Sequence, residues 1–277
     1  MRLAGPAKLK KSRGADASNL TVPAQNGCIT AAASAIARPF APRWLLILGF
    51  LFLVQGFARP ENAADRRTDP STLTGKVMCG YQAWFACEGD GAERGWVHWT
   101  KGRGALSPAN AKIDLWPDVS EFGADERFAT EFRHADGRVA EVFSSFKHAT
   151  VLRHFEWMRD YGIDGAFVQR FVADLRDPRV LRQNNTVLEH CRDGAEKSGR
   201  AFAMMYDLSG LRAGRIAEVM DDWRALRSQM RVTGSAAYLR HRGKQLVAVW
   251  GVGFSDGRKY TIAECRELVE FLKKDGC

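Results

Sequence analysis

The sequence predicts an α/β fold: the N-terminal half, about four βα units, of a TIM-type (β/α)8 barrel, preceded by a signal segment. Three observations predict it. Four continuous apolar runs of strand length recur along the chain, and each is followed, sooner or later, by a segment with helical spacing of apolar residues. No glycine-rich phosphate loop opens the first βα turn, because Gly89-Asp90-Gly91 follows no suitable strand and starts no helix, which argues against an open doubly wound sheet.

The runs are Lys76–Tyr81, Ile163–Phe171, Ala201–Asp207 and Leu246–Trp250. Unbroken apolar runs suit strands covered on both faces of a parallel sheet, whereas half-exposed strands alternate. Between the first and second runs lies a long insert. The first helix is expected over His148–Tyr161, with Val151, Leu152, Phe155 and Met158 on one face and Gly162 as its stop. Asp177-Pro178 starts the second, since proline at the first helical position has no amide hydrogen to waste, and Gly199 closes it. Arg215–Met230 aligns Ile216, Val219, Met220, Trp223 and Leu226. Thr261-Ile262-Ala263-Glu264 is a capping box that opens the last helix. Such alternation of strand and helix specifies βαβ units on a parallel sheet.

Charge and cysteine content narrow the function classes. The net charge is +9, but seven basic residues against the single acid Asp16 fall within residues 1–43. The remainder has no basic run with interleaved aromatics, so a nucleic-acid partner is not expected. Trp44–Val54 is an uninterrupted apolar run between Arg43 and the small-residue triplet Gly56-Phe57-Ala58. That is the layout of a secretory signal, too short to span a bilayer comfortably. Residues 1–58 are accordingly read as basic leader and signal peptide, 59–72 as a charged linker, and 73–277 as the partial barrel domain. The protein is expected to be exported, periplasmic or extracellular, and to touch a membrane only through the signal segment if it stays uncleaved. Of the six cysteines, Cys79 and Cys87 are close enough in sequence to pair, or each lies idle as a buried thiol. No Cys/His spacing suits zinc, and no metal or cofactor is expected.

In parallel α/β folds the site lies at the carboxyl ends of the strands. Those ends carry Tyr81, Gln82 and Trp84, then Gln169 and Arg170, then Tyr206 and Asp207, then Trp250; the insert adds Trp96, His98, Trp99 and Trp116. Aromatic rings stack on the C–H face of a sugar while amides, carboxylates and guanidinium groups bond its hydroxyls, so a carbohydrate is the expected partner. Each tryptophan is equally a core residue, and His98 is either a ligand contact, a proton shuttle or a satisfied loop histidine. Hydrolysis of a glycosidic bond needs two carboxylates about 5–10 Å apart, and the acidic pairs Glu264/Glu267 and Glu267/Glu270 belong to the outer face of the last helix. A four-strand half barrel leaves two unpaired sheet edges, from which self-association is expected.

Several motifs in order resemble bacterial glycoside hydrolase family 71/99-like proteins, often labelled xylosidase/arabinosidase: Lys76–Phe85, Trp96–Trp99, Asp114–Asp118, Val142–Ser145, Trp157–Phe171 and Met205–Gly210. The resemblance covers about residues 73–274. It implies a (β/α)8 barrel related to family 99 endo-α-mannosidases, retaining glycosidases that use no organic cofactor. It also implies a sugar-facing rim of Tyr81, Gln82, Trp84, His98, Gln169, Arg170, Tyr206, Asp207 and Trp250. Two departures stand out. Ala83 replaces a glycine common in relatives, and no segment matches the late-barrel glutamate motif that carries catalysis in the family. The expectation is a glycoside-hydrolase-like chain cut short and catalytically incomplete, with a non-catalytic carbohydrate- or partner-binding protein as the alternative.

Overall fold

A computed structural model describes residues 67–102 and 104–276. The signal segment Trp44–Val54 and most of the linker lie outside the described residues. The elements run β1 (Met78–Tyr81), β2 (Arg127–Arg133), β3 (Val139–Phe143), α1 (His148–Asp160), β4 (Gly165–Phe171), α2 (Pro178–Ser198), β5 (Ala201–Asp207), α3 (Ala217–Ser228), β6 (Arg240–His241), β7 (Lys244–Gln245), β8 (Val247–Trp250) and α4 (Ile262–Phe271).

The main sheet has the order β1-β4-β5-β8, and every neighbouring pair is parallel. Spatial order therefore follows chain order, with no reversal of the kind that defines a doubly wound sheet. The four main-sheet strands, with α1, α2, α3 and α4 entering the chain after β1, β4, β5 and β8 in turn, are arranged as successive staves of a (β/α) barrel. The expected α/β half-barrel class is what the chain adopts.

Local chemistry explains the boundaries. Asp177 caps α2 by accepting from the Arg179 and Val180 amides, with Pro178 behind it, and Gly199 ends the helix at φ 67°. Thr261 and Glu264 close a reciprocal capping box on α4. At the start of β4, Gly165 sits where any Cβ would be driven into the Ala201 backbone; only glycine lets these strands approach in register.

Burial departs from expectation at the sheet edges. The central strand β5 is almost wholly buried, whereas β1 and β8 are half-exposed. An edge strand lacks a neighbour on one side, and its side chains lose cover accordingly. The main core joins Val151, Phe155, Val168, Met204, Trp223 and Leu268, from α1, β4, β5, α3 and α4. The packed chain also reaches further back than Leu73, into the stretch read as linker. Thr68 is buried, its amide donating to the Gly199 carbonyl at 2.8 Å and its hydroxyl to the Asp164 carbonyl at 2.9 Å.

The insert builds its own small core. The β2–β3 hairpin pairs antiparallel, and Cys87, Trp99, Leu106 and Val142 are buried there, with Phe85, Trp96 and Trp116 packed around them. Cys79 and Cys87 thus belong to different cores, and both are free thiols.

Candidate functional site

Parallel register decides which strand-end side chains share a face. Gln169 is level with Met205, and Met205 with Ala248; Phe171 is level with Asp207, and Asp207 with Trp250. Successive strand residues point to opposite faces, so Gln169, Phe171, Asp207 and Trp250 lie together while Arg170 and Tyr206 turn the other way. The opposite face is the helical one. Arg170 donates twice to Asp222 of α3, each bond 2.7 Å, and once to Asn185 of α2 at 2.9 Å; the Tyr206 hydroxyl donates to the same Asp222 at 2.6 Å.

Arg170 and Tyr206 are therefore not sugar-facing rim residues, contrary to the reading from sequence. Their polar atoms fasten the sheet to its helices. Burial, then the Asp222 charge, pushes the Tyr206 phenol well above its ordinary range. Tyr81 is turned inward in the same way. Its hydroxyl meets His154 Nδ1 of α1 at 2.7 Å and its ring packs edge-on against Phe155. Burial holds the His154 imidazole down at about 4, helped by the Arg153 charge. The ring is neutral at physiological pH and shares that hydrogen bond with the Tyr81 hydroxyl.

On the helix-free face, Gln169 Nε2 donates to Asp207 Oδ2 at 2.5 Å, and the Ser209 amide donates to Asp207 Oδ1 at 2.8 Å. Asp207 is only 4% exposed, and each carboxylate oxygen keeps a lone pair for another donor. Beside it Trp250 is 50% exposed, an open indole face at the tip of the last strand. Gln82 is exposed just after β1, and the crevice it shares with Gln169 is walled by Arg170 and by Asn184, Val187 and Leu188 of α2, on the helical side of the sheet.

Trp84 is placed between two rings. His98 stacks on it at 4.0 Å and 15°, and Phe171 at 5.3 Å and 16°. Its ring is engaged within the protein, so the surfaces presented outward belong to its neighbours. His98 adopts φ 65°, and it lines a groove of about 940 Å³ together with Trp96, Arg94, Lys101 and Arg179. Burial, then Lys112 and Arg94, lowers the His98 imidazole to about 4. It is a neutral acceptor or donor there.

The remaining tryptophans separate by role. Trp99 is 2% exposed, and its indole N–H is spent on the Phe143 carbonyl at 3.1 Å; Trp116 does likewise with the Glu141 carbonyl at 2.9 Å. Both build the insert core and do not face a ligand. Trp96 packs on that core but also faces the groove. Sequence reasoning passed over Phe171, although its even spacing from Gln169 places it on the Asp207 face. It also passed over Ser209, which lies inside the Met205–Gly210 motif, and Arg258, which belongs to none. Among the described residues no group of three His, Cys, Asp or Glu is arranged to hold a metal ion.

Fold and site together define an α/β protein of barrel type with a polar and aromatic face at the carboxyl ends of its strands. Similar solved structures include the GH99 endo-α-mannosidase of Bacteroides thetaiotaomicron in complex with Bis-Tris-propane, at 12% identity and TM-score 0.41, covering 64% of this chain and 42% of that one. Another structure of the GH99 endo-α-mannosidase from Bacteroides thetaiotaomicron matches at 17% identity and TM-score 0.40, covering 68% and 47% respectively. This chain thus spans less than half the length of either. No protein-family model and no curated protein matches the chain.

Proposed function

We propose that this is a glycoside-hydrolase-type protein that holds a poly- or oligosaccharide on the helix-free face at the tips of its strands. The observation that carries the reading is the Gln169–Asp207 pair, 2.5 Å apart on adjacent strands beside the exposed Trp250. A carboxylate and an amide with free lone pairs accept sugar hydroxyls, and an indole face covers the sugar's C–H side. The motif resemblance read from the sequence agrees in class. Its xylosidase/arabinosidase label is carried as one option among substrates, and export through Trp44–Val54 goes with it, testable by sequencing the N-terminus of the mature protein.

A second reading, glycan binding without turnover, is favoured by one feature. Asp207 is the only carboxylate among the four residues that end the main-sheet strands, Tyr81, Phe171, Asp207 and Trp250, and hydrolysis usually needs a pair about 5–10 Å apart. The experiment is to incubate the full chain with aryl mannosides, xylosides and arabinosides and with α-mannan and xylan oligosaccharides, measuring sugar release and calorimetric binding together. Release that Asp207→Asn abolishes supports the hydrolase. Binding without release selects the second reading. No binding of any glycan overturns both.

A further inference from the structure

We infer that the strand-tip site takes a glycan bearing an acidic substituent, a carboxylate or a sulfate, and that Arg212, Arg258 and Lys259 receive it. This rests on the glycan reading above and names the substrate class for it. The loops after β5 and β8 border an open groove of about 450 Å³ lined by Ser209, Arg212, Asp256, Arg258, Lys259 and Tyr260, among others. Three cations face one carboxylate. That carboxylate, Asp256, is already held by Arg258 through bonds of 2.8 and 3.0 Å. Arg212 and Lys259 have no ion-pair partner among the described residues, unlike Arg127, Arg138, Arg176 and Arg224, which are all paired.

Arg258 is built in rather than draped over the surface. Its Nη1 donates to the Tyr260 hydroxyl at 2.9 Å and to Ser209 Oγ at 3.3 Å, and its guanidinium lies 4.8 Å over the Phe254 ring. A guanidinium fixed in this way loses little freedom when it binds an anion. Asp256 takes Nε and one Nη2 proton, leaving the second Nη2 proton for a ligand.

Two short routes join this groove to the sugar face. Ser209 gives its amide to Asp207 and receives Arg258 on its hydroxyl. Trp250 meets Phe254 edge-on at 5.3 Å, and Phe254 carries Arg258. A pyranose ring seated on Asp207 and Trp250 would therefore have as neighbours Ser209 and Phe254, the two residues that hold Arg258.

The test compares matched ligands on the full chain by calorimetry at low salt. One pair is a glucuronic-acid-bearing oligosaccharide and its neutral backbone; the other is a sulfated oligosaccharide and its desulfated form; inorganic sulfate is run alone. The expected result is binding about ten-fold or more tighter for one acidic member than for its neutral match, a preference that shrinks with added salt and disappears in Arg212→Ala/Lys259→Ala. Those two side chains are exposed, so the double variant keeps the wild-type melting temperature. Whichever acidic pair shows the preference identifies the substituent. Equal affinity within both pairs, or a preference unmoved by the double substitution, overturns the inference while leaving the glycan reading intact. Binding of sulfate alone, with no glycan bound, overturns both.

Discussion

Arg170 grips Asp222 through two parallel hydrogen bonds of 2.7 Å, with the Arg170 side chain 3% and the Asp222 side chain 10% exposed. The pair ties the tip of β4 to α3, and Tyr206 of β5 completes it. Leaving one member of a buried ion pair unpartnered costs about 3–5 kcal/mol, whereas replacing the whole set by apolar side chains is often near neutral. Asp222→Ala is therefore expected to lower the melting temperature by about 10 °C in a domain of this size. The combination Arg170→Met, Asp222→Leu, Tyr206→Phe loses less than Asp222→Ala alone. Thermal unfolding of the two variants checks the order. If Asp222→Ala melts like the wild type, the pair is not a fastening.

The burial of His154 beneath Tyr81 makes stability depend on pH. The folded state holds His154 at about 4 against an ordinary 6.5, because burial disfavours the imidazolium. Between these values the unfolded chain binds the additional proton. The contribution is complete above 6.5 and drains away as pH falls toward 4. His98 and His190 are lowered to about 4 as well and act in the same direction. Urea midpoints should decline from pH 7 to 4.5, and His154→Gln should flatten that slope. A variant whose midpoint falls just as steeply would assign the dependence elsewhere.

Strand and helix positions were readable because burial writes itself into local pattern. The runs ending at Phe171, Asp207 and Trp250 end where the strands do, and the caps at Asp177 and Thr261 start their helices. Orientation was harder. The sequence puts Gln169-Arg170 and Tyr206-Asp207 together on the rim, yet neighbours in a strand point to opposite faces, so one of each pair has to leave. Which one leaves is set by Asp222, distant in sequence. The tryptophans misled for a related reason. Trp99 and Trp116 needed a second core to bury in, and that core depends on a hairpin, Arg127–Phe143, whose pairing is interrupted by an irregularity between Ala129 and Arg133.

Ala83 occupies φ 47°, the left-handed region where a Cβ costs about 1–2 kcal/mol. Glycine removes that strain but adds freedom to the unfolded chain, a loss of about 0.5–1 kcal/mol elsewhere in structure. Ala83→Gly should thus be neutral or stabilising by up to about 1 kcal/mol. Gly165→Ala should do the reverse and unfold or strongly destabilise the protein, since its Cβ meets the Ala201 backbone, which cannot swing away. Denaturant titration of both variants tests the contrast; a destabilised Ala83→Gly would mean that the alanine methyl packs more than it strains.

Trp84 and Trp250 should separate stability from binding. Trp84 is stacked against His98 and Phe171 and works inside the protein, while Trp250 is half-exposed beside Asp207 and shares only an edge contact with Phe254. Removing an internally stacked indole leaves a void, which costs about 3 kcal/mol where the neighbours cannot collapse into it. Removing an exposed one forfeits mainly its contact with a ligand, about 0.5–1.5 kcal/mol or up to about ten-fold in affinity. Trp250→Ala is expected to keep the wild-type melting temperature and weaken glycan binding. Trp84→Ala is expected to lower the melting temperature first and to affect binding only through the displaced His98 and Phe171. Should Trp84→Ala leave stability untouched and abolish binding, the outward-facing platform would be Trp84 itself, and the sugar would have to sit over the insert groove instead of the strand tips.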